Sequence, residues 1–195
     1  MTIDEDLSRF TLDRDSSLTI GVFDGVHVGH EYLIGNLLSN AERSNRLSVV
    51  VTFRNHPATV VGLVAPSPLL MGLDDRLRAL EKLGVDLVVP ITFDQKLSQL
   101  TAQQFLSKLA DRLRMRSLIV GPDFTMGHGR DGNVETLPAL SRSLGFSFHV
   151  VNMLMDRNYR VKSTAIRRLV ADGNVEAASN MLGRNFQARG TVVNG

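Results

Sequence analysis

The chain predicts an α/β protein built on a parallel sheet flanked by helices, and three observations carry that prediction. Five apolar, strand-like runs recur along it, at Leu18 to Phe23, Leu47 to Phe53, Val85 to Ile91, Leu118 to Gly121 and Phe146 to Val151. Amphipathic stretches lie between most of them, and strands that alternate with helical spacing argue for parallel βαβ units. The first run passes directly into Gly21-Val22-Phe23-Asp24-Gly25 and then His27-Val28-Gly29-His30, so a strand breaks on glycines just where a helix begins. At 195 residues, with 43% hydrophobic and 22% charged, the chain is long enough for one sizeable core.

Element by element, Leu18 to Val22 reads as a short buried strand, and Leu33, Ile34, Leu37 and Leu38 supply the apolar spacing of a helix from Tyr32 to Arg43. Asp74 to Leu83 is the next helix. Thr101 to Arg114 follows, with Leu100, Phe105, Leu106, Leu109 and Leu113 making one apolar stripe. Glu135 to Leu144 precedes the fifth strand. Gly62 to Met71, which contains Pro66 and Pro68, reads as a long loop over the sheet. Ser163-Thr164 opens a helix that closes at Asp172-Gly173, and Asn174 caps a last short one ending at Leu182-Gly183. Thr191-Val192-Val193 is strand-like but has nothing to pair with nearby.

Composition narrows the function classes. Cysteine is absent, which removes disulfides, thiolate catalysis and Cys-ligated zinc and leaves any metal to O and N ligands. No apolar run approaches the roughly 20 residues of a membrane span. Met1 to Arg14 is too acidic and polar for a signal peptide, so the expected compartment is the cytoplasm. The net charge is only +2, yet from Leu140 onward eight basic residues face three acidic ones. Such a local surplus suits a phosphate-bearing ligand. Aromatic content of 6%, with no Trp and no long basic stripe, argues against nucleic acid.

Four segments lie at or just after a strand end, where open α/β sheets bind ligands. In the first, Gly21, Gly25 and Gly29 let the backbone bend and a ligand approach, while the free N–H groups of a helix start favour an anion. His27 and His30 sit there as donors to phosphoryl oxygens. The second, Phe53-Arg54-Asn55-His56-Pro57, offers a flat ring, an imidazole and a stiff turn. The third is the glycine-rich run from Gly121 to Gly132, with Asp123 placed to orient a ligand or a metal-bound water and Phe124 to pack on it. The fourth is Ser163-Thr164-Ala165-Ile166-Arg167, a helix start followed one turn later by the side chain that grips phosphate in bidentate fashion. Singly, each also reads as a turn, a surface loop or a capped helix; their conjunction on one sheet edge points to phosphate chemistry. His149 reads as structural and His128 as a loop residue.

These blocks, in this order, resemble the adenylyltransferase module of bacterial bifunctional riboflavin kinase/FAD synthetases. The resemblance rests on Gly21 to His30, Thr52-Phe53-x-x-His56-Pro57, Gly121-x-Asp123-Phe124 and Ser163-Thr164-x-x-Arg167, and covers Thr19 to Gly190. It implies a Rossmann-like nucleotidyltransferase fold that moves AMP from MgATP to FMN, with FAD and pyrophosphate as products and Mg²⁺ accompanying ATP. Carried over by position, His27 and His30 stabilise the α-phosphate. Gly21, Phe23, Asp24, Gly25, Gly29, Asp123, Ser163, Thr164 and Arg167 belong to the ATP site, the last three at its β and γ phosphates. Phe53, His56, Pro57 and Phe124 belong to the flavin site. Alternatives are a transferase acting on another phosphorylated acceptor, and a nucleotide- or flavin-binding protein without turnover.

Three positions depart from the family pattern: Lys162 stands for a Ser, Met126 for a Phe and Asn55 for a Pro. Arg184 to Gly195 resembles the linker and first strand of the family's kinase module. The expected division is therefore a nucleotidyltransferase domain over 1–183 and a stub over 184–195, its strand unpaired unless a neighbouring chain supplies a partner. With no kinase half in this sequence, FMN is expected to be a substrate the chain does not make from riboflavin.

Overall fold

Val49, Val50 and Val51 are fully buried in succession, as happens when a sheet is covered on both faces. The computed structural model, which describes residues 2–62, 68–152, 155–156 and 159–189, shows what covers it. From the amino end run α1 (Ile3–Leu7), β1 (Ser16–Ile20), α2 (Val28–Arg43), β2 (Leu47–Phe53), a one-turn α3 (Pro57–Val60), α4 (Leu73–Glu81) and β3 (Leu87–Ile91). Next come α5 (Gln95–Ser98), α6 (Ala102–Arg112), β4 (Met115–Val120), a small hairpin of β5 (Thr125–Met126) and β6 (Gly132–Asn133), α7 (Leu137–Leu144) and β7 (Ser147–Val150). A second hairpin, β8 (Met155–Asp156) and β9 (Tyr159–Arg160), leads to α8 (Ser163–Ala171) and α9 (Val175–Leu182).

The five long strands are parallel throughout and lie in the order β3-β2-β1-β4-β7. Alternate residues of each strand serve opposite faces. Leu18, Ile20, Val49, Val51, Leu118 and Val120 pack with α6 residues Phe105, Leu106 and Leu109. Val50 and Ile119 face the other way, against Ile34 and Leu37 of α2 and Leu80 of α4. The chain winds from β1 out to β3 and returns on the other side of β1 as β4. The crevice beyond the carboxyl ends of β1 and β4 is thus the topological switch point, where such sheets take their ligands. A smaller cluster of Leu70, Val161, Ile166, Ala178 and Leu182 packs α8 and α9 against the loop before α4.

The parallel sheet flanked by helices is the architecture expected from the sequence, with differences at element ends. β1 stops at Ile20, short of Phe23, because Phe23 turns into the left-handed region at φ 52° and leaves the ladder. α2 begins at Val28, a full turn before Tyr32, since His27 caps it with a side chain outside the usual capping set. β4 starts at Met115, ahead of Leu118; the exposed Arg116 interrupts the apolar run without interrupting the strand. α1, α3, α5 and the two hairpins are too short for a periodicity to announce. Residues 63–67 of the predicted loop and the strand-like 191–193 lie outside the described residues.

Leu109 is fully buried between α6 and the sheet. Its truncation to Ala is expected to cost about 2–5 kcal/mol, seen as a lower urea midpoint with an unchanged slope. A loss under about 0.5 kcal/mol, the scale of a surface change, would contradict this packing.

Candidate active site

The turn joining β1 to α2 is strained. Phe23 and Val26 hold φ at 52° and 36°, a region that bulky and β-branched residues avoid and that costs on the order of 1–3 kcal/mol per residue. Such strain persists only where neighbours over-determine it. Asp24, 2% exposed, accepts the Leu70 N–H at both carboxylate oxygens, at 3.0 and 3.1 Å. Arg167 Nη2 donates to Asp24 Oδ2 at 2.8 Å, and Ser163 Oγ donates to the Asp24 carbonyl at 2.8 Å. Gly25 sits at φ +84°, and a Cβ there would come within 2.8 Å of Leu70 Cδ1, so both conformation and space demand glycine.

Beyond the turn, His27 Nδ1 accepts the His30 backbone N–H at 3.3 Å and caps α2. In the neutral ring the proton therefore resides on Nε2. The two imidazoles stack, with centroids 3.6 Å apart and planes 14° from parallel, and Phe23 packs edge-on to His30 at 5.1 Å. A Cβ at Gly29 would lie 3.2 Å from the His27 ring, so the glycine makes room for the pair. Burial holds His27 down to about 4. Burial first, and the neighbouring His27 second, hold His30 well below the ordinary histidine range. At neutral pH both rings are uncharged hydrogen-bonding groups. His30 Nδ1 is buried and finds no partner among the described residues.

Two adjoining cavities open at the switch point. The smaller, about 260 Å³, has His27, His30, Gly21, Gly29, Asp123 and Ser163 in its wall, together with Phe23, Tyr32 and Lys162. The larger, about 950 Å³, is walled by Phe53, His56, Pro57, Phe93 and Phe105. Ile20, Gly21, Asp123 and Phe124 line both. Phe53 and Phe93 meet edge to face at 5.5 Å. His56 caps α3 by accepting the Ala58 N–H at 3.1 Å, and burial, reinforced by Arg167, lowers its pKa. The arrangement fits a two-part ligand, its phosphates against the histidines and a flat ring in the aromatic chamber. It holds donors and positioning groups for charge stabilisation, the demand of phosphoryl transfer.

The structure brings together most of the residues singled out from the sequence. His27, His30, Gly21, Phe23, Gly29, Asp123 and Ser163 share the small cavity; Phe53, His56, Pro57 and Phe124 share the large one. Asp24 and Arg167 face each other behind these walls, with Gly25 beside them, and Thr164 lies in the first turn of α8. Lys162 Nζ bridges to Asp123 Oδ2 at 2.8 Å, joining the start of α8 to the loop after β4. Both side chains are about half exposed, so the pair is worth at most about 1 kcal/mol and exchanges readily for another anion. Phe93 was not among the sequence candidates. Its signal is its place just past the end of β3, beside the carboxyl end of β2 that Phe53 closes. Arg76 was also missed: it is fully buried in α4 and donates Nη2 to the Phe53 carbonyl, holding the end of β2 from behind.

A parallel α/β sheet with paired histidines at the N-terminus of the helix after β1 defines a nucleotidyltransferase-like protein. The family model for FAD synthetase matches residues 10–165, and the chain belongs to that family. It is 36% identical over 179 residues to the bifunctional riboflavin kinase/FMN adenylyltransferase of Escherichia coli (strain K12), covering 91% of this chain and 57% of that protein. The Haemophilus influenzae protein of the same name is 35% identical over 181 residues, 92% of this chain and 58% of its own length. The chain thus spans less than two thirds of these relatives. A solved structure titled "Crystal Structure of Macrolide-efflux Protein from Streptococcus pneumoniae" superposes with a TM-score of 0.85 at 27% identity, covering 97% of this chain and 62% of that one. Among the described residues no helix is long and apolar enough to cross a membrane.

Because His27 titrates near 4 when folded and near 6.5 when free, the unfolded chain binds more protons between those values, and stability must fall as pH drops through that window. An imidazole titration by NMR should place His27 close to 4, and His27→Gln should lessen the slope of the stability profile over the same range, the remainder coming from His30 and His56, which burial also lowers. A His27 midpoint at 6.5 would mean that the ring is solvated.

Removing one partner of the buried Asp24–Arg167 pair leaves the other charge uncompensated, so Arg167→Ala should destabilise the fold by about 3–5 kcal/mol in urea. A change below about 1 kcal/mol, typical of an exposed pair, would contradict the pairing.

Proposed function

We propose that this chain transfers the adenylyl group of MgATP to the phosphate of FMN in the cytoplasm, giving FAD and pyrophosphate. An FMN phosphate oxygen attacks the α-phosphorus of ATP, the bond to the β-phosphate breaks, and its electron pair leaves with pyrophosphate. One observation carries the reading: the stacked, neutral His27–His30 pair at the start of α2 opens on a cavity that shares a wall with an aromatic chamber large enough for a flavin. Family membership supports the same substrates.

His27 donates through Nε2–H, and His30 through its own ring, to the α-phosphoryl oxygens as charge builds there. Being uncharged, the rings favour the crowded transition state through oriented donors, which act strongly in a water-poor site. Ser163, Thr164 and the first backbone N–H groups of α8 receive the outer phosphates. Arg167 keeps one nitrogen on Asp24 behind the cavity walls, with Nε buried and unpartnered, and its remaining donors are those we assign to the pyrophosphate end. Phe53, His56, Pro57 and Phe124 hold the isoalloxazine. No cluster of three or more metal-ligating side chains occurs among the described residues. Mg²⁺ is commonly held by one or two carboxylates and mainly by substrate phosphates; Asp123, the carboxylate in both cavity walls, would be the residue to hold it.

Purified protein given FMN, ATP and Mg²⁺ should form FAD with stoichiometric pyrophosphate. Pyrophosphate released only with a different phosphorylated acceptor would reassign the substrate; tight binding without release would make this a binding protein. His30→Ala should lower kcat by about 100-fold or more while ATP binding changes less, the pattern of a lost oxyanion donor. Arg167→Lys keeps the charge and loses the fork, and should weaken use of ATP while sparing FMN affinity. Near-normal synthesis by His30→Ala would remove the proposed role of the histidines.

A further inference from the structure

We infer that Arg184, just past the end of α9, is a positioning residue for His27, clamping the strained turn on which the catalytic imidazole sits. Its Nη1 donates to the Val26 carbonyl at 2.8 Å and to the Leu182 carbonyl at 3.1 Å, while Nη2 donates to the Gly25 carbonyl. One guanidinium therefore ties two successive carbonyls of the turn to the last turn of α9, where a cation also suits the helix end. Arg184 itself is exposed, but the end of α9 and the turn it joins fit closely. Gly183 holds φ at +70°, and a Cβ there would lie 2.9 Å from Val28 Cγ1; a Cβ at Gly25 would lie 3.4 Å from Leu182 Cδ2.

The strain tells what the clamp is for. Val26, at φ 36°, immediately precedes His27. Left free, a β-branched residue relaxes out of that conformation, and the relaxation rotates the His27 backbone and swings Nε2–H away from the small cavity. With Arg184 gripping the carbonyls of the two peptide groups that flank Val26, the rotation is blocked. Loss of the clamp thus relieves strain as it removes hydrogen bonds, so function suffers more than stability. A misplacement of about 1 Å in a positioned group can cost on the order of 100-fold in rate. The clamp also couples the site to the chain beyond α9: whatever pulls on residues from 184 onward pulls on the turn before His27.

The inference rests on His27 acting as a donor to the reacting phosphate, and its test separates the two claims. Arg184→Ala, Arg184→Lys and, as a control for lost charge, Arg168→Ala at an exposed site are compared with the parent chain in FAD synthesis, thermal unfolding and imidazole ¹⁵N NMR. Arg184→Ala should lower kcat about 10- to 100-fold, with KM for ATP and FMN within about threefold and Tm within about 4 °C. Lys should recover part of the rate, as should millimolar guanidinium added to the Ala variant. The His27 ring nitrogens should shift not only in Arg184→Ala, where the nearby charge is also lost, but in Arg184→Lys, which keeps the charge and loses the fork, and not in Arg168→Ala. Unshifted ring signals with kcat within twofold of the parent would overturn the clamp. If the parent itself makes no FAD but its His27 signals move on loss of Arg184, the clamp stands and the proposed function falls.

Discussion

A buried carboxylate offers about four acceptor sites and tolerates burial only if donors fill them. Asp24 meets that requirement by drawing donors from far along the chain: the Leu70 N–H from the approach to α4 and the Arg167 guanidinium from α8. Its own carbonyl takes the Ser163 hydroxyl. The turn after β1, the loop before α4 and the start of α8 are thereby joined at one residue. Everything proposed for phosphate binding inherits its position from this junction. The histidines stand on one side of it and the uncapped start of α8 on the other.

Strain and burial at this junction serve the same chemistry. Non-glycine residues at positive φ force β1 to leave the ladder abruptly, which delivers His27 to the cap of α2 within a few residues of the sheet. Burial keeps both imidazoles neutral, so the role proposed for them is that of oriented N–H donors, and the His30 backbone selects the tautomer of His27. The stability given up in these conformations is balanced by the Asp24 junction and by the packing of Leu70, Ile166 and Leu182 behind it. Stored strain at a functional turn, held by long-range contacts, is a common physical pattern.

The shared wall of the two cavities links binding to reaction. Gly21 and Asp123 lie at the carboxyl ends of β1 and β4, strands about half the chain apart and brought together by the sheet. In the proposed reaction a ring held by Phe53 and Phe93 would present its phosphate toward this wall, where the α-phosphate of a nucleotide beside the histidines would meet it. The Lys162–Asp123 bridge spans the same wall. As an exposed pair of low net value, it can yield Lys162 to a phosphate at little cost.

The sequence by itself determined what is local or periodic. Alternation of apolar runs set the parallel sheet, and an apolar stripe set α6. Glycines beside paired histidines marked the strand-to-helix turn, and the later blocks picked out residues that line the two cavities. These are legible because backbone bending and helix periodicity depend on neighbours within a few positions. The tertiary structure decided what depends on residues distant in sequence. No spacing says that Asp24 pairs with Arg167, that Arg184 returns to the carbonyls before His27, or that Phe93 faces Phe53. Nor does it say that His27 and His30 are buried enough to remain uncharged, since a pKa is set by the dielectric and charges brought near by folding. The same holds for the ends of β1 and α2, where long-range hydrogen bonds sustain backbone angles that local preference rejects.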